Sequence, residues 1–202
     1  MRGRLITIEG LDGAGKTTLC QGLAAALPDA RLLREPGGVE LSERIRALVK
    51  DPALAVDPRA EALLYAAARA QLVTTLVRPL LDDGTTVLLD RFVDSSLAYQ
   101  GGGRGLGVDA VRAINDFATG GLTPDRTVLL RVDLATGRAR QADRGASPDR
   151  LEREDGAFFD AVARVYEELA AAEPDRIRVV DAERAPDEVL ADVVGAVEDL
   201  LP

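Results

Sequence analysis

The sequence predicts an α/β fold in which about five parallel β-strands form a sheet with helices on both faces. Short apolar runs typical of buried strands alternate along the chain with longer amphipathic segments typical of helices. This alternation favours β–α–β units, because parallel neighbours are joined by crossovers that are usually helices. The 202 residues contain no internal repeat and no linker rich in Ser, Gly or Pro. We therefore expect a single domain over residues 1–202.

The predicted strands are short apolar runs at residues 5–8, 30–33, 86–89, 127–132 and 176–180. Residues 18–27 predict a helix directly after the first strand. Alanine and leucine at helical spacing over residues 57–81 predict a long helix that Pro79 kinks or stops. Residues 187–200 predict a closing amphipathic helix with Pro186 near its start, where the missing N–H costs nothing.

Composition is typical of a folded enzyme and excludes several classes of function. The 47% hydrophobic and 29% charged residues are ordinary globular usage, and the net charge of −9 opposes binding to nucleic acid or to an anionic membrane. We expect a cytoplasmic protein for three reasons. The apolar runs are too short to span a bilayer, the chain has a single cysteine, and the first strand leaves no room for a signal peptide. Because the chain has no histidine, imidazole can serve neither as a base nor as a metal ligand.

The first strand leads into a complete phosphate-binding loop, which is followed by Thr18. The loop is Gly10-Leu11-Asp12-Gly13-Ala14-Gly15-Lys16-Thr17. Its backbone N–H groups can surround phosphates, Lys16 can neutralise the β- and γ-phosphates, and Thr17 can offer a hydroxyl to Mg²⁺. A helix cap alone would need one Gly, Ser or Thr and not this spacing before Lys-Thr. The loop therefore predicts a P-loop NTPase fold that binds a nucleoside triphosphate.

The third strand ends in an acid followed by a base, Asp90 and Arg91. The carboxyl ends of parallel strands line the ligand crevice, so we expect both side chains to face a ligand. Asp90 can hold Mg²⁺ directly or through Thr17, and Arg91 can bind a phosphate bidentately. A surface ion pair is the alternative, which the neighbouring phosphate loop makes the weaker one. The chain lacks the Asn-Lys-x-Asp run of guanine-reading switches.

A stretch at residues 137–153 reverses the acidic balance of the chain. Its arginines are Arg138, Arg140, Arg144, Arg150 and Arg153. A basic segment beside a phosphate loop predicts a lid that closes over the nucleotide, expels water and adds positive charge to the transferring phosphoryl group. A solvated helix face is the alternative interpretation.

Tyr65 and Arg69 lie one helical turn apart and share a face of the long helix. The ring can stack on a nucleobase, and the guanidinium can donate to a carbonyl oxygen of that base. The alternative is a core tyrosine above a solvated arginine.

Taken together, these motifs resemble the thymidylate kinase family, whose members transfer the γ-phosphate of ATP to dTMP. The resemblance runs essentially end to end, and it is carried by residues 10–18, 34–38, 65–69 and 90–102. The last of these runs, DRFVDSSLAYQGG, is the most specific. The resemblance implies Mg²⁺-dependent synthesis of dTDP from ATP and dTMP, on the path to dTTP, by a homodimer.

The resemblance also implies roles in recognising the nucleoside. It makes the stacked base thymine, with Arg69 donating to its O4. It places Ser96 and Gln100 near the N3 edge, and their spacing of four permits a common helical face. Tyr99 would lie against the sugar, where it leaves little room for a ribose 2′-hydroxyl.

The same resemblance implies which residues bind the phosphate and the 3′-hydroxyl of dTMP. Asp12 would accept a hydrogen bond from the 3′-hydroxyl, and Arg46 would join Arg91 on the dTMP phosphate. Glu35 and Pro36 would form a rigid loop near that phosphate.

For the transferring phosphate, the resemblance implies a cation from the lid, because Gly13 stands where some family members have a basic residue in the loop. Arg144 and Arg140 are the favoured cations, with Arg150 next. Adenine would lie between Arg138 and the turn at residues 181–183.

Two other functions remain open from the sequence. A different P-loop nucleoside or nucleotide kinase would share the loop and the strand end, but a nucleoside kinase needs a carboxylate base to activate a neutral 5′-hydroxyl. The other is a non-enzymatic nucleotide switch whose lid arginines bind a partner protein. An anionic phosphate acceptor needs no general base, so the lack of histidine fits transfer to dTMP.

Overall fold

Five parallel strands form one sheet in the computed structural model, which describes residues 2–143, 145 and 147–200. The strands are β1 (Leu5–Gly10), β2 (Arg31–Arg34), β3 (Val87–Asp90), β4 (Arg126–Arg131) and β5 (Ile177–Asp181). Their order across the sheet is β2-β3-β1-β4-β5, and every neighbouring pair is parallel. The predicted α/β class and the five strand positions are confirmed within one or two residues.

Helices connect the strands and cover both faces of the sheet. They are α1 (Lys16–Ala26), α2 (Glu40–Lys50), α3 (Pro58–Leu72), α4 (Arg78–Asp82), α5 (Val93–Ser96), α6 (Val108–Thr119), α7 (Leu134–Asp143), α8 (Gly156–Ala172) and α9 (Pro186–Val197). Wider π-helical turns occupy Val73–Val77 and Leu97–Gly103, and a 3₁₀ turn occupies Glu198–Leu200. No helix of the described residues is long and apolar enough to cross a membrane.

The core has two parts because successive strand residues point to opposite faces of the sheet. Leu5 and Leu89 are completely buried and pack in the cluster that contains residues of α3 and α4. Ile6, Ile8 and Leu88 are also completely buried, in the larger cluster that contains residues of α1, α8 and α9. Burial on both faces explains why the strands read as continuous apolar runs in the sequence.

The helix predicted over residues 57–81 continues past Pro79 to Asp82. A proline inside an α-helix removes one hydrogen bond and clashes with the carbonyl four residues earlier. The π-helical turn just before Pro79 relieves this conflict, because the Arg78 N–H there bonds to the carbonyl of Val73, five residues back. The proline therefore does not stop the helix.

The stretch predicted as a lid begins inside α7, which ends at Asp143. Among its described residues, the part between α7 and α8 has no regular secondary structure. Arg144 lies outside the described residues.

Candidate active site

The carboxyl ends of β1, β2 and β3 open into a cleft of about 1010 Å³. Most of the residues predicted from the sequence line this one cleft: Asp12, Gly13, Gly15, Lys16, Thr17, Thr18, Glu35, Pro36, Arg46, Tyr65, Arg69, Asp90, Arg91, Ser96, Tyr99, Gln100 and Arg140. Parallel strands place all their carboxyl ends at one edge of the sheet, which is why segments distant in sequence meet here.

The glycine-rich loop follows β1 directly and ends at the first turn of α1. Gly15 has φ 88° at the start of this helix, a conformation that suits glycine. Lys16 turns back over the loop, where its Nζ donates to the carbonyls of Gly10 (3.1 Å) and Leu11 (2.7 Å). Burial, together with repulsion from Arg91, lowers the pKa of Lys16 to about 8. The amine is thus held at the position from which it can contact phosphate oxygens.

The turn of the loop at Gly13 packs directly against the first residues of α7. A Cβ built on Gly13 would lie 2.1 Å from the carbonyl oxygen of Gly137, and Gly13 has φ 84°. The absence of a side chain here therefore allows α7 to approach the loop. A basic side chain at position 13 would overlap the backbone of Gly137.

Thr17 and Asp90 form the candidate metal site. The Thr17 hydroxyl donates to the Asp90 carboxylate across 3.1 Å. Both groups present oxygen, which is the ligand type that Mg²⁺ prefers. The described residues contain no group of three or more His, Cys, Asp or Glu that could form a protein cage for a metal. Mg²⁺ bound with nucleotide phosphates needs only one or two such ligands, so this pair fits that ion.

Arg91 has an unusual backbone at the end of β3. Its φ is 69°, in the left-handed region that costs a residue other than glycine about 1–3 kcal/mol. The Arg91 N–H donates to the carbonyl of Ile8 at 3.0 Å, which holds this turn against β1. The result is that the Arg91 side chain turns out of the sheet and lines the cleft.

The Arg91 guanidinium contacts two of the other predicted acceptor-site residues, Asp12 and Tyr99. It donates to Asp12 at 2.6 Å and to the Tyr99 hydroxyl at 3.3 Å, and the Tyr99 hydroxyl donates to Asp12 at 2.9 Å. Although burial opposes it, the positive charges of Arg91 and Lys16 hold the pKa of Asp12 well below its usual value. The Asp12 carboxylate therefore lies between the Lys16 ammonium, 4.0 Å away, and the side chains of Arg91 and Tyr99.

Glu9 is a site residue that the sequence analysis missed. It is completely buried, and its carboxylate accepts hydrogen bonds from the Phe92 N–H (2.7 Å), the Ser95 hydroxyl (2.5 Å) and the Tyr166 hydroxyl (2.9 Å). Burial and the negative charge of Asp94 raise its pKa. Glu9 thereby fixes the turn that carries Arg91. An acid near the end of the first strand, just before the glycine loop, was the signal that could have found it.

Arg69 is buried, with 2% of its surface exposed, so the alternative of a solvated arginine is wrong. Its guanidinium donates to Glu35 (2.7 Å), the Ser96 hydroxyl (2.9 Å) and the carbonyl of Phe92 (2.8 Å), and also to the Asn115 side-chain oxygen. This network joins α3, α6 and the segments after β2 and β3. Asn115, on α6, gave no signal in the sequence.

The segment after β2 lines the cleft beside Arg69. Burial raises the pKa of Glu35 to about 7, while Arg69 acts against this rise. The peptide bond between Glu35 and Pro36 is cis. Arg46, on α2, donates to the carbonyl of Pro36 at 2.9 Å, so it braces this segment and also lines the cleft.

Four of the predicted lid arginines are described, and they have different partners. Arg153 donates through its Nε to the carbonyl of Pro148 at 3.1 Å. Arg140 lines the cleft and donates to the carbonyl of Ala182 at 2.9 Å. Arg138 lies over the ring of Phe159, 5.6 Å from its centroid. The Arg150 guanidinium lies 2.6 Å from the buried carboxylate of Glu61. Arg140 thus contacts the turn at residues 181–183.

The segment after α7 is fastened to the end of α2. The Lys50 ammonium lies 2.6 Å from the carboxylate of Asp149. The Arg150 backbone N–H donates to the carbonyl of Lys50 at 3.3 Å, and its side-chain Nε donates to that of Val49 at 2.9 Å. Part of the predicted lid is thus joined to α2, the helix that carries Arg46.

Comparison with known proteins identifies the family of this chain. Residues 8–193 match the family model described as thymidylate kinase. The chain belongs to the thymidylate kinase family. A thymidylate kinase of Deinococcus radiodurans is 50% identical over 202 residues, covering 98% of both chains. One from Lactobacillus delbrueckii subsp. bulgaricus is 48% identical over 209 residues, covering 100% of this chain and 99% of the relative.

Structural comparison gives the same family at lower sequence identity. The crystal structure of thymidylate kinase from Ehrlichia chaffeensis superposes with a TM-score of 0.81 at 29% identity, covering 98% of this chain and 100% of that one. Family membership therefore applies to the whole length of the chain, including the segment after α7.

Proposed function

We propose that the chain transfers the γ-phosphoryl group of ATP to dTMP, which gives dTDP and ADP. The observation that carries this proposal is the meeting of two sites in one cleft: the phosphate loop with Lys16, and the acceptor pocket with Tyr65 and Arg69. Arg91 and Asp12 lie between them. A single cleft that holds donor and acceptor can align the two phosphates for in-line transfer.

Catalysis in this proposal depends on positioning and charge. The acceptor oxygen of dTMP is already anionic, so no side chain has to remove a proton from it. Lys16 and Arg91 lie beside the transferring group, and a cation from the lid completes its neutralisation; Arg144 is the favoured one, followed by Arg140 and Arg150. Thr17 and Asp90 would hold Mg²⁺, which supplies further positive charge at the phosphates when bound.

Acceptor binding requires Arg91 to exchange partners. In this structure its guanidinium is held by Asp12 and by the Tyr99 hydroxyl. The dianionic phosphate of dTMP is a stronger acceptor for a bidentate guanidinium than the Tyr99 hydroxyl. We propose that Arg91 turns to this phosphate beside Arg46, leaving Asp12 to accept from the 3′-hydroxyl. Tyr99 then lies against the sugar.

We also propose a homodimer formed through α2, α3 and α6. These neighbouring helices expose large apolar side chains: Leu41 (47%) and Leu48 (48%) on α2, Leu63 (56%) on α3 and Phe117 (92%) on α6. Leu41 and Leu48 are seven residues apart and so share a face of α2. Large exposed apolar side chains on neighbouring helices are typical of a protein interface.

A coupled assay of ADP release over several acceptors tests the proposed activity. We expect rapid turnover with dTMP and slower turnover with dUMP, dCMP, dGMP and UMP. Thymidine serves as the comparison for a nucleoside kinase, and its use in place of dTMP would contradict the proposal. ATP binding without release of ADP in the presence of dTMP would favour the nucleotide switch instead.

A further inference from the structure

We infer that Glu61 is a positioning residue that fixes the side-chain amide of Gln100, and that this orientation makes the acceptor pocket favour thymine over cytosine. The inference rests on the proposed function, since it concerns how the same pocket selects its base. Glu61 itself contacts no ligand, because its exposure is 0%. It acts through Gln100, which lines the cleft together with Tyr65 and Arg69.

The contact that carries the inference is a single buried hydrogen bond. The Gln100 Nε2 donates to Glu61 Oε1 across 2.9 Å. Gln100 lies in the π-helical segment Leu97–Gly103 and is 2% exposed, and Glu61 lies on α3, one turn before Tyr65. The amide of Gln100 is therefore placed between a buried carboxylate on one side and the cleft on the other.

A carboxylate can orient an amide because it has only acceptor atoms. A glutamine side chain ends in one donor group and one acceptor oxygen, and the two ends can exchange by rotation. Turning the Gln100 oxygen towards Glu61 would bring two acceptors together in a buried site without a proton between them. Glu61 thus keeps Nε2 on its own side and leaves Oε1 as the end that a ligand meets.

Two arginines keep Glu61 in this role. Arg104 donates to both carboxylate oxygens at 3.1 to 3.2 Å, and the Arg150 guanidinium lies 2.6 Å from Oε2. These positive charges balance the buried negative charge, so Glu61 faces Gln100 as an acceptor. They also hold the Glu61 carboxylate in one position, so the Gln100 amide has an acceptor at a fixed place.

The orientation of the amide matters because thymine and cytosine differ at N3. Thymine carries a hydrogen on N3 and can donate to the Gln100 Oε1, whereas cytosine has a lone pair there. An acceptor placed at N3 attracts the first base and repels the second. If Gln100 were free to rotate, it could present its NH₂ group to cytosine and the pocket would lose part of this preference.

The variant Glu61→Gln tests the inference. A glutamine at position 61 can serve either end of the Gln100 amide, so the orienting effect is lost while size is kept. We expect the ratio of kcat/KM for dTMP to kcat/KM for dCMP to fall by about tenfold, with a relative gain for dCMP. Arg69 still discriminates at the neighbouring position of the base, so the preference is reduced and not abolished.

Glu154→Gln is the matched control. Glu154 pairs with the same Arg104 at 2.6 Å, and its replacement removes the same charge without touching Gln100. We expect its dTMP to dCMP ratio to equal that of the wild type. A folded Glu61→Gln variant that loses rate equally on both acceptors would overturn the inference, because Glu61 would then only support the lid segment or the fold.

If Glu61→Gln does not fold, a second pair of variants, in which the lost negative charge is matched by a lost positive charge, tests the inference. The double variant Glu61→Gln/Arg150→Gln restores the charge balance of the cluster, and Arg150→Gln alone is its reference. The ratio must fall in the double variant relative to this reference; equal ratios overturn the inference. Failure of the proposed function is distinguishable, because the wild-type protein would then not phosphorylate dTMP at all.

Discussion

Arg91 lies at the end of β3 and lines the cleft, and Lys16 contacts only the loop carbonyls and neighbouring charges. We expect Arg91→Ala and Lys16→Ala each to lower kcat for dTMP by about a hundredfold or more, since each removes a cation from the transferring phosphate. Steady-state kinetics with thermal melting checks this. Arg131→Ala is the control, because Arg131 ends β4 and pairs with the exposed Glu167. A variant with near wild-type turnover would remove that residue from the mechanism.

Arg69 belongs to the fold as well as to the pocket. Its removal leaves the Glu35 carboxylate, 5% exposed, without its cation. We expect Arg69→Ala to lower the free energy of unfolding by about 3–5 kcal/mol, the usual effect of breaking a buried ion pair. Urea denaturation measures it. Arg34→Ala, which breaks the exposed pair with Glu43, should cost less than about 1 kcal/mol. Equal losses in the two variants would contradict the prediction.

For individual site residues, the sequence could predict those whose neighbours along the chain form a recognisable pattern. Lys16 and Thr17 are fixed by a continuous motif, and Asp90 by its place at a strand end. Glu9 carried only the weak signal of an acid near the end of the first strand, and Asn115 carried none. Glu9 meets Tyr166 and Asn115 meets Arg69 only after the chain has folded, across separations of 157 and 46 residues. Partners of this kind follow from tertiary packing and not from local pattern.

Among the elements, the contact between the phosphate loop and α7 gives the sharpest test. We expect Gly13→Ala to weaken ATP binding by at least about tenfold, because its methyl group would overlap the backbone of Gly137 and force α7 away. Calorimetric titration with ATP measures the loss. Gly105→Ala is the control: its φ is 67°, but nothing lies within 4 Å of the added Cβ. It should show only the backbone cost of about 1 kcal/mol in stability. Unchanged ATP affinity in Gly13→Ala would overturn this account.

The strands were predictable because burial on both faces leaves continuous apolar runs. The long helix was harder to predict, since its course past Pro79 depends on the π-helical turn at Val73–Val77. Such a turn is set by the packing of Val73 and Val77 in the core and has no distinct pattern of its own. The lid was predicted from charge alone, and charge did not predict that Arg150 would pair with Glu61.

On the scale of the whole molecule, the proposed homodimer face is open to a direct test. We expect Leu48→Glu and Phe117→Glu each to convert a dimer to a monomer, because a buried unpaired carboxylate at an interface is strongly unfavourable. Sedimentation velocity measures the change. Val179→Glu provides the control, since Val179 is 36% exposed on the edge strand β5. A monomeric wild type, or dimers in both variants, would exclude this face.

The attachment of Asp149 and Arg150 to the end of α2 has a thermodynamic consequence. The same helix carries Arg46 on the acceptor side, so a ligand that shifts α2 also shifts the free energy of ordering the segment that follows α7. Equilibrium coupling of this kind is reciprocal. If bound dTMP raises the affinity for ATP by some factor, bound ATP must raise the affinity for dTMP by the same factor. Cooperative binding of the two substrates would therefore depend on the contacts at the end of α2.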